Sequence, residues 1–216
     1  MVFDKRTIAD YVYEQLLDDI ISLHYAPGEK LSEAILAKRF EVSKNPIRKA
    51  LIRLERENFV VIKPQYGTFV SEVSIEKGRE ICDVRSLLES YAARIAAEKI
   101  TEKQIASLQK SFDHLDVLEK GSEEYSKYIS DLDVTLHNEI FEACGNETIR
   151  EISERYSPQI QRIRRANITW VNRMEPTLVE MKGVFEALKK RDPEASEKAM
   201  RTHIRNIKIA ITKLRH

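Results

Sequence analysis

The sequence predicts a mainly α chain in which a small mixed unit near the N-terminus is followed by an all-helical remainder, on three observations. Apolar residues recur at helical spacing from Ile8 to Leu23 and again in every strongly patterned stretch after Ser74. Two β-rich runs, "FVVIK" and "TFVSEV", stand on either side of "PQYG". Positive charge is concentrated in this region, with eight basic residues against three acidic between Lys38 and Lys63. The 216-residue chain as a whole carries only +1, from 36 Lys and Arg against 35 Asp and Glu.

The elements follow in order. Ile8, Val12, Leu16, Ile20 and Leu23 define a first helix, which Pro27-Gly28 in "YAPGEKL" breaks. Ser32 caps a short second helix through Arg39, and "FEV" turns the chain. Ser43 is placed as N-cap of a third helix, with Pro46 in its permissive first turn and Val42 and Ile47 at the spacing of a hydrophobic staple. Ile47, Ala50, Leu51 and Leu54 form the inward face of this helix. Three helices and a hairpin make a winged helix-turn-helix, assigned to residues 1–72. Six helical segments follow at roughly 75–98, 102–119, 123–144, 147–166, 174–191 and 193–214, an all-α domain over 73–216.

At 42% hydrophobic residues the chain can bury a true core. Cys82 and Cys144 lie within apolar helical patterns with no ligand spacing, which predicts reduced, buried thiols. The N-terminus lacks an apolar signal core, and no apolar run reaches the ~18 residues of a membrane span. The expectation is a soluble cytoplasmic protein.

The outward face of the third helix carries Lys44, Asn45, Arg48 and Lys49. A helix fits the major groove and reads base edges near its N-terminal end, which places Lys44, Asn45 and Arg48 for readout. Lys38, Lys49 and Arg53 are placed for phosphates. At the wing tip, Lys63, Gln65, Tyr66 and Gly67 can follow the backbone or enter the minor groove. A solvated basic face is the plain alternative. The coincidence of turn, staple and wing favours binding to double-stranded DNA.

With those residues in view, "LSE..LA", "VS.xPIR.AL..LE" and "G.FV" resemble, in order and spacing, the N-terminal domain of GntR-family bacterial transcription regulators. The helical remainder resembles the FCD branch related to FadR, in its shorter, VanR-like six-helix form. Lys44, Asn45 and Lys49 stand where that family more often has Arg, Thr and Glu, so a different operator sequence is expected.

In the helical domain, Asp133 and His137 share an apolar face one turn apart with Ile129, Leu136 and Ile140. Groups at that spacing can converge on one cation. His203 shares a face with Ala199, Ile207 and Ile211. The resemblance implies a divalent metal, zinc, nickel or manganese, held by an Asp-x3-His pair and two further histidines. Asp133 and His137 match "D..FH", His203 in "MRTHI" matches the last histidine, and Met181 in "EMKGVFEALKKRD" stands where the remaining one is expected. A thioether is a poor ligand for those metals, and Met181 also fits as core beside Leu178, Phe185 and Leu188.

Arg85, on a face with Ile81, Leu88 and Ala92, requires an anion if buried. That anion is either an internal carboxylate such as Asp133 or, as the resemblance implies, a small organic acid effector. Asn146 is expected to cap the helix after Gly145.

The expected protein is a homodimeric DNA-binding regulator, a repressor, whose DNA affinity responds to a small carboxylate in the bundle. Two other classes fit parts of the pattern. One is an architectural DNA-binding dimer without effector, and the other a metal-dependent hydrolase built on Asp133, His137 and His203, for which no nucleophile motif is present.

Overall fold

A computed structural model describes residues 7–165 and 173–212. They fall into two compact units, one within Met1–Ser74 and Gln161–Ala166, the other within Ile75–Ile160 and Asn167–His216.

In the first unit, helix α1 spans Ile8–Ile21 and begins with a capping box. The Asp10 amide donates to the Thr7 hydroxyl, and the Thr7 amide donates to the Asp10 carboxylate. The sequence pattern ran on to Leu23, but Leu23 adopts a left-handed backbone (φ 62°) and the helix has already closed. Helix α2 spans Glu33–Arg39 and α3 spans Lys44–Arg56. Between them Glu41 supplies the left-handed residue of the turn (φ 55°). Ser43 occupies the N-cap of α3, yet its hydroxyl makes no capping bond. Pro46, the third helical residue, has no N–H to give it.

Strand β1 is Lys30–Leu31, β2 is Val60–Lys63 and β3 is Gly67–Val70. They form one antiparallel sheet in the order β1-β3-β2, so the expected hairpin gains a third strand too short to show alternation in sequence. Gly67 is required where it stands. Its φ is +112°, and a Cβ there would lie 3.0 Å from Lys30 Cε. Val12, Leu16, Ile20, Leu36, Ile47, Leu51, Leu54, Phe59 and Val70 close the core of this unit.

The second unit contains α4 (Ile75–Lys99), α5 (Glu102–His114), α6 (Glu123–Cys144), α7 (Glu147–Arg165) as far as Ile160, α8 (Met174–Lys189) and α9 (Pro193–Thr212), the rest of α7 belonging to the first unit. Helix α5 ends sooner than its pattern suggested, giving way to a 3₁₀ turn at Leu115–Val117. Gly145 ends α6 in the left-handed region, and the Asn146 side chain accepts from the Ile149 amide as expected of a cap. Helix α4 is the axis of the bundle. Its small residues Ala92, Ala93, Ala96 and Ala97 are fully buried and let α9 approach along its length, with α6 and α8 packed beside them. Cys82 and Cys144 are buried, and neither is in a disulfide.

Candidate DNA-reading face and candidate metal centre

Burial of Ile47, Ala50, Leu51 and Leu54 turns the opposite side of α3 outward. Lys44, Asn45, Arg48 and Lys49 on that side are exposed, as is Lys38 on α2. The wing tip between β2 and β3 presents Lys63, Gln65 and Tyr66, and Tyr66 is 72% exposed. Lys63 rests its ammonium 5.0 Å from the Phe69 ring centroid.

Arg53 is placed differently from the other basic residues of α3. Its guanidinium lies 3.6 Å from the Tyr13 ring centroid on α1 and bonds Glu57 at 3.3 Å and Asp10 at 3.4 Å. The Tyr13 hydroxyl donates to the same Glu57, and burial followed by that carboxylate raises the phenol's pKa. Arg53 therefore ties α3 to α1.

Arg48 is also engaged, and here sequence reasoning missed the partner. Its Nε and Nη2 donate to Glu33 Oε1 and Oε2 at 3.2 and 2.8 Å, across the turn between α2 and α3. That hydrogen bond holds the Glu33 carboxyl below its ordinary pKa. Fifteen residues separate the two, a spacing that carries no periodic signal.

In the second unit, α6 delivers Asp133 and His137 from adjacent turns and α9 delivers His203. All three are buried, and one donor atom from each lies within 4.8 Å of the others. His203 Nε2 is 3.2 Å and His137 Nε2 is 3.8 Å from Asp133 Oδ1. The opposite nitrogen of each ring meets a further carboxylate. His137 Nδ1 lies 3.0 Å from Glu89 on α4, and His203 Nδ1 lies 3.1 Å from Glu180 on α8. For His203, whose Nδ1 hydrogen-bonds Glu180, this is the arrangement in which an outer carboxylate fixes an imidazole so that its second nitrogen faces a metal, whereas His137 Nδ1 approaches Glu89 without hydrogen-bond geometry.

Glu89 and Glu180 have their own anchors. Arg85 donates to Glu89 through Nε at 2.6 Å and Nη2 at 3.1 Å, while Glu180 accepts from Asn206 at 2.7 Å and Arg173 at 2.6 Å. Burial alone would raise the Glu89 pKa, but Arg85 and His137 outweigh it and hold the group down at about 2. Glu180 behaves alike. Burial acts to raise its pKa, and the bonds from His203, Arg173 and Asn206 lower it.

The internal partner of Arg85 is thus Glu89, with Asp133 contributing through its charge alone. Glu89 is the buried neighbour on that face of α4, and Leu88, expected inward, is half-buried. Met181 is fully buried on α8, and the side chain after Glu180 supplies no nitrogen donor to the cluster. Apart from this centre, a surface cavity of about 410 Å³ lies where α4 meets the α6–α7 junction, lined by Tyr91, Ile95, Lys99 and Asn146 among others.

Residues 80–206 match the FCD domain, and residues 8–70 match the bacterial regulatory proteins of the gntR family. The chain is 29% identical to the HTH-type transcriptional repressor RspR of Escherichia coli (strain K12), over 97% of this chain and 91% of the relative. It is 26% identical to the HTH-type transcriptional repressor NanR of Cronobacter sakazakii (strain ATCC BAA-894), over 94% of this chain and 85% of the relative. The solved structure of E. coli McbR/YncC superimposes with a TM-score of 0.73 at 22% identity, over 96% of this chain and 99% of that one.

Proposed function

Given that this chain belongs to the FCD branch of the GntR family of bacterial transcription regulators, and is therefore a DNA-binding regulator rather than an enzyme, we propose that it is a homodimeric repressor whose operator affinity is set by a small organic acid bound with a divalent cation. Residues 1–72 read the operator and residues 73–216 sense and dimerise. The single observation that carries the sensing half is the buried Asp133, His137 and His203 cluster.

The donor set fits a divalent ion. Three carboxylates, Glu89, Asp133 and Glu180, face two guanidiniums, Arg85 and Arg173, so with all three ionised one negative charge is left for an imidazolium or a cation to balance. Two imidazole nitrogens and a carboxylate oxygen suit zinc, nickel or manganese, and Met181 leaves a fourth position for an exogenous oxygen. The effector carboxylate takes that position together with the Nη1 edge of Arg85, since Glu89 takes the Nε and Nη2 edge.

Operator contacts come from Lys44, Asn45 and Arg48 at bases and Lys38, Lys49 and the wing residues Lys63, Gln65, Tyr66 and Gly67 at phosphates or the minor groove. The self-association face is supported by Val84, Leu87 and Tyr91, an exposed apolar stripe at positions i, i+3 and i+7 of α4. Repression is supported by RspR and NanR, both of which are repressors. No described helix is long and apolar enough to cross a membrane. Membership of a bacterial DNA-binding family supports work in the cytoplasm.

One observation favours an architectural dimer without effector: the Arg85 fork already finds its carboxylate in Glu89. Zinc titration of chelator-treated protein, followed by a screen of small mono- and dicarboxylic acids for altered operator affinity, separates the two. The sensing reading predicts near-stoichiometric zinc binding and at least one acid that changes affinity. Zinc-independent DNA binding that no acid alters would leave the architectural reading.

A further inference from the structure

We infer that Glu33 sets the sequence selectivity of the reading helix, by holding Arg48 in the pose that offers its remaining edge to a guanine. The inference rests on the reading of Arg48 as a base contact.

A guanidinium carries five N–H donors. Glu33 occupies the Nε–H and one Nη2–H in a side-on pair at 3.2 and 2.8 Å. The end-on edge, made of Nη1 and the other Nη2 proton, stays outward on a side chain that is 61% exposed. That edge is the one that meets O6 and N7 of guanine as a two-bond fork. A side chain fixed in plane and direction loses less rotamer freedom on contact than one that is loose.

The charge of Glu33 gives the inference its sign. A carboxylate beside the outward face of α3 repels phosphates, and Glu33 also attracts Lys44 electrostatically. Glu33 therefore weakens DNA binding of any sequence, and its gain appears only where Arg48 meets the right base. Removing the carboxylate should strengthen nonspecific binding and weaken specific binding, two effects of opposite direction from one substitution.

The experiment uses the full chain and duplexes that the wild type selects from a randomised library. Affinities are measured for the selected duplex, for versions with each G·C pair exchanged, and for an unrelated duplex, with wild type, Glu33→Gln, Arg48→Ala and the double variant. Arg48→Ala should lower the ratio of specific to nonspecific affinity by about tenfold or more. Glu33→Gln should lower it by a similar factor, with nonspecific affinity rising. Adding Glu33→Gln to Arg48→Ala should change the ratio less than about twofold, since the carboxylate acts through the arginine.

Four results overturn the inference. If Arg48→Ala leaves the ratio intact, the base-reading role itself is lost. If Arg48→Ala collapses the ratio but Glu33→Gln does not, base reading stands and positioning fails. Equal tightening on both duplexes makes Glu33 a competitor for DNA. An undiminished Glu33→Gln effect in the Arg48→Ala background makes it a direct reader of cytosine.

Discussion

Replacing Glu89 with Ala should be among the most damaging substitutions in the helical unit. Arg85 is only 7% exposed and Glu89 1%, and the two are joined by bonds of 2.6 and 3.1 Å. Removing the carboxylate leaves a buried guanidinium without its main counter-charge, a change that costs about 3–5 kcal/mol. The depressed pKa of Glu89 reflects the same contact. A carboxyl held at about 2 instead of 4.5 is favoured in the folded state by roughly 3 kcal/mol.

Because the folded pKa is depressed, that stabilisation is fully present above about pH 4.5 and is lost as pH falls toward 2. At about 2–4 °C per kcal/mol, Glu89→Ala should lower the melting temperature of the helical unit by roughly 6–20 °C. The double variant Arg85→Met, Glu89→Met should recover most of the loss, since two apolar groups of similar volume replace the pair. Its stability should also depend less on pH below 4.5. Thermal and urea unfolding of chelator-treated protein, followed by far-ultraviolet circular dichroism from pH 2.5 to 7, measures all three. A loss under about 2 °C, or a double variant no better than Glu89→Ala, would refute the buried pair as a stabilising contact.

Met181→His would put an imidazole at the position where the resemblance to FCD domains implies a further ligand. Calorimetric titration should show tighter zinc or nickel binding than the wild type, with a higher melting temperature in excess metal; unchanged binding would mean that residue 181 does not reach the cluster. Lys49→Ala should weaken specific and nonspecific DNA alike and reduce the salt dependence of binding by about one ion. Arg53→Ala should leave that salt slope nearly unchanged and instead destabilise the reader by about 1 kcal/mol, because its guanidinium is committed to Tyr13, Glu57 and Asp10; a lost ion in the slope would place Arg53 on phosphate. Glu41→Gly, at a left-handed turn residue, should raise reader stability by about 0.5–1 kcal/mol in the same melts, and a decrease would show that the Glu41 side chain is needed.

The helices were legible because their cores repeat at i, i+3 and i+4, and because caps such as Ser32 and Asn146 mark their starts. Strand β1 was not, since two residues cannot show alternation, and neither was the early end of α1, which depends on the backbone of Leu23. The three donors Asp133, His137 and His203 stood out as polar groups on apolar faces. Glu89 and Glu180 did not, because a third of the chain is charged and an Arg–Glu pair four residues apart ordinarily signals a solvated helix face. Here burial by α6 and α9 converts the same spacing into an internal pair. Arg53 shows the reverse case, a basic residue at a spacing that suits phosphate whose partners, Tyr13 and Asp10, come from a helix some 40 residues away. Contacts that cross between elements, Glu33 with Arg48 among them, leave no period in the chain.

Hydroxyl-radical footprinting of the full chain on a duplex selected from a randomised library, with sedimentation of the free protein alongside, tests most directly whether this regulator reads DNA as a symmetric pair of helices. The predicted result is a dimer at micromolar concentration and two protected half-sites of inverted sequence about one helical turn apart, both lost in Arg48→Ala. A monomer that protects a single half-site, or protection that spreads without regard to sequence and survives Arg48→Ala, would contradict it.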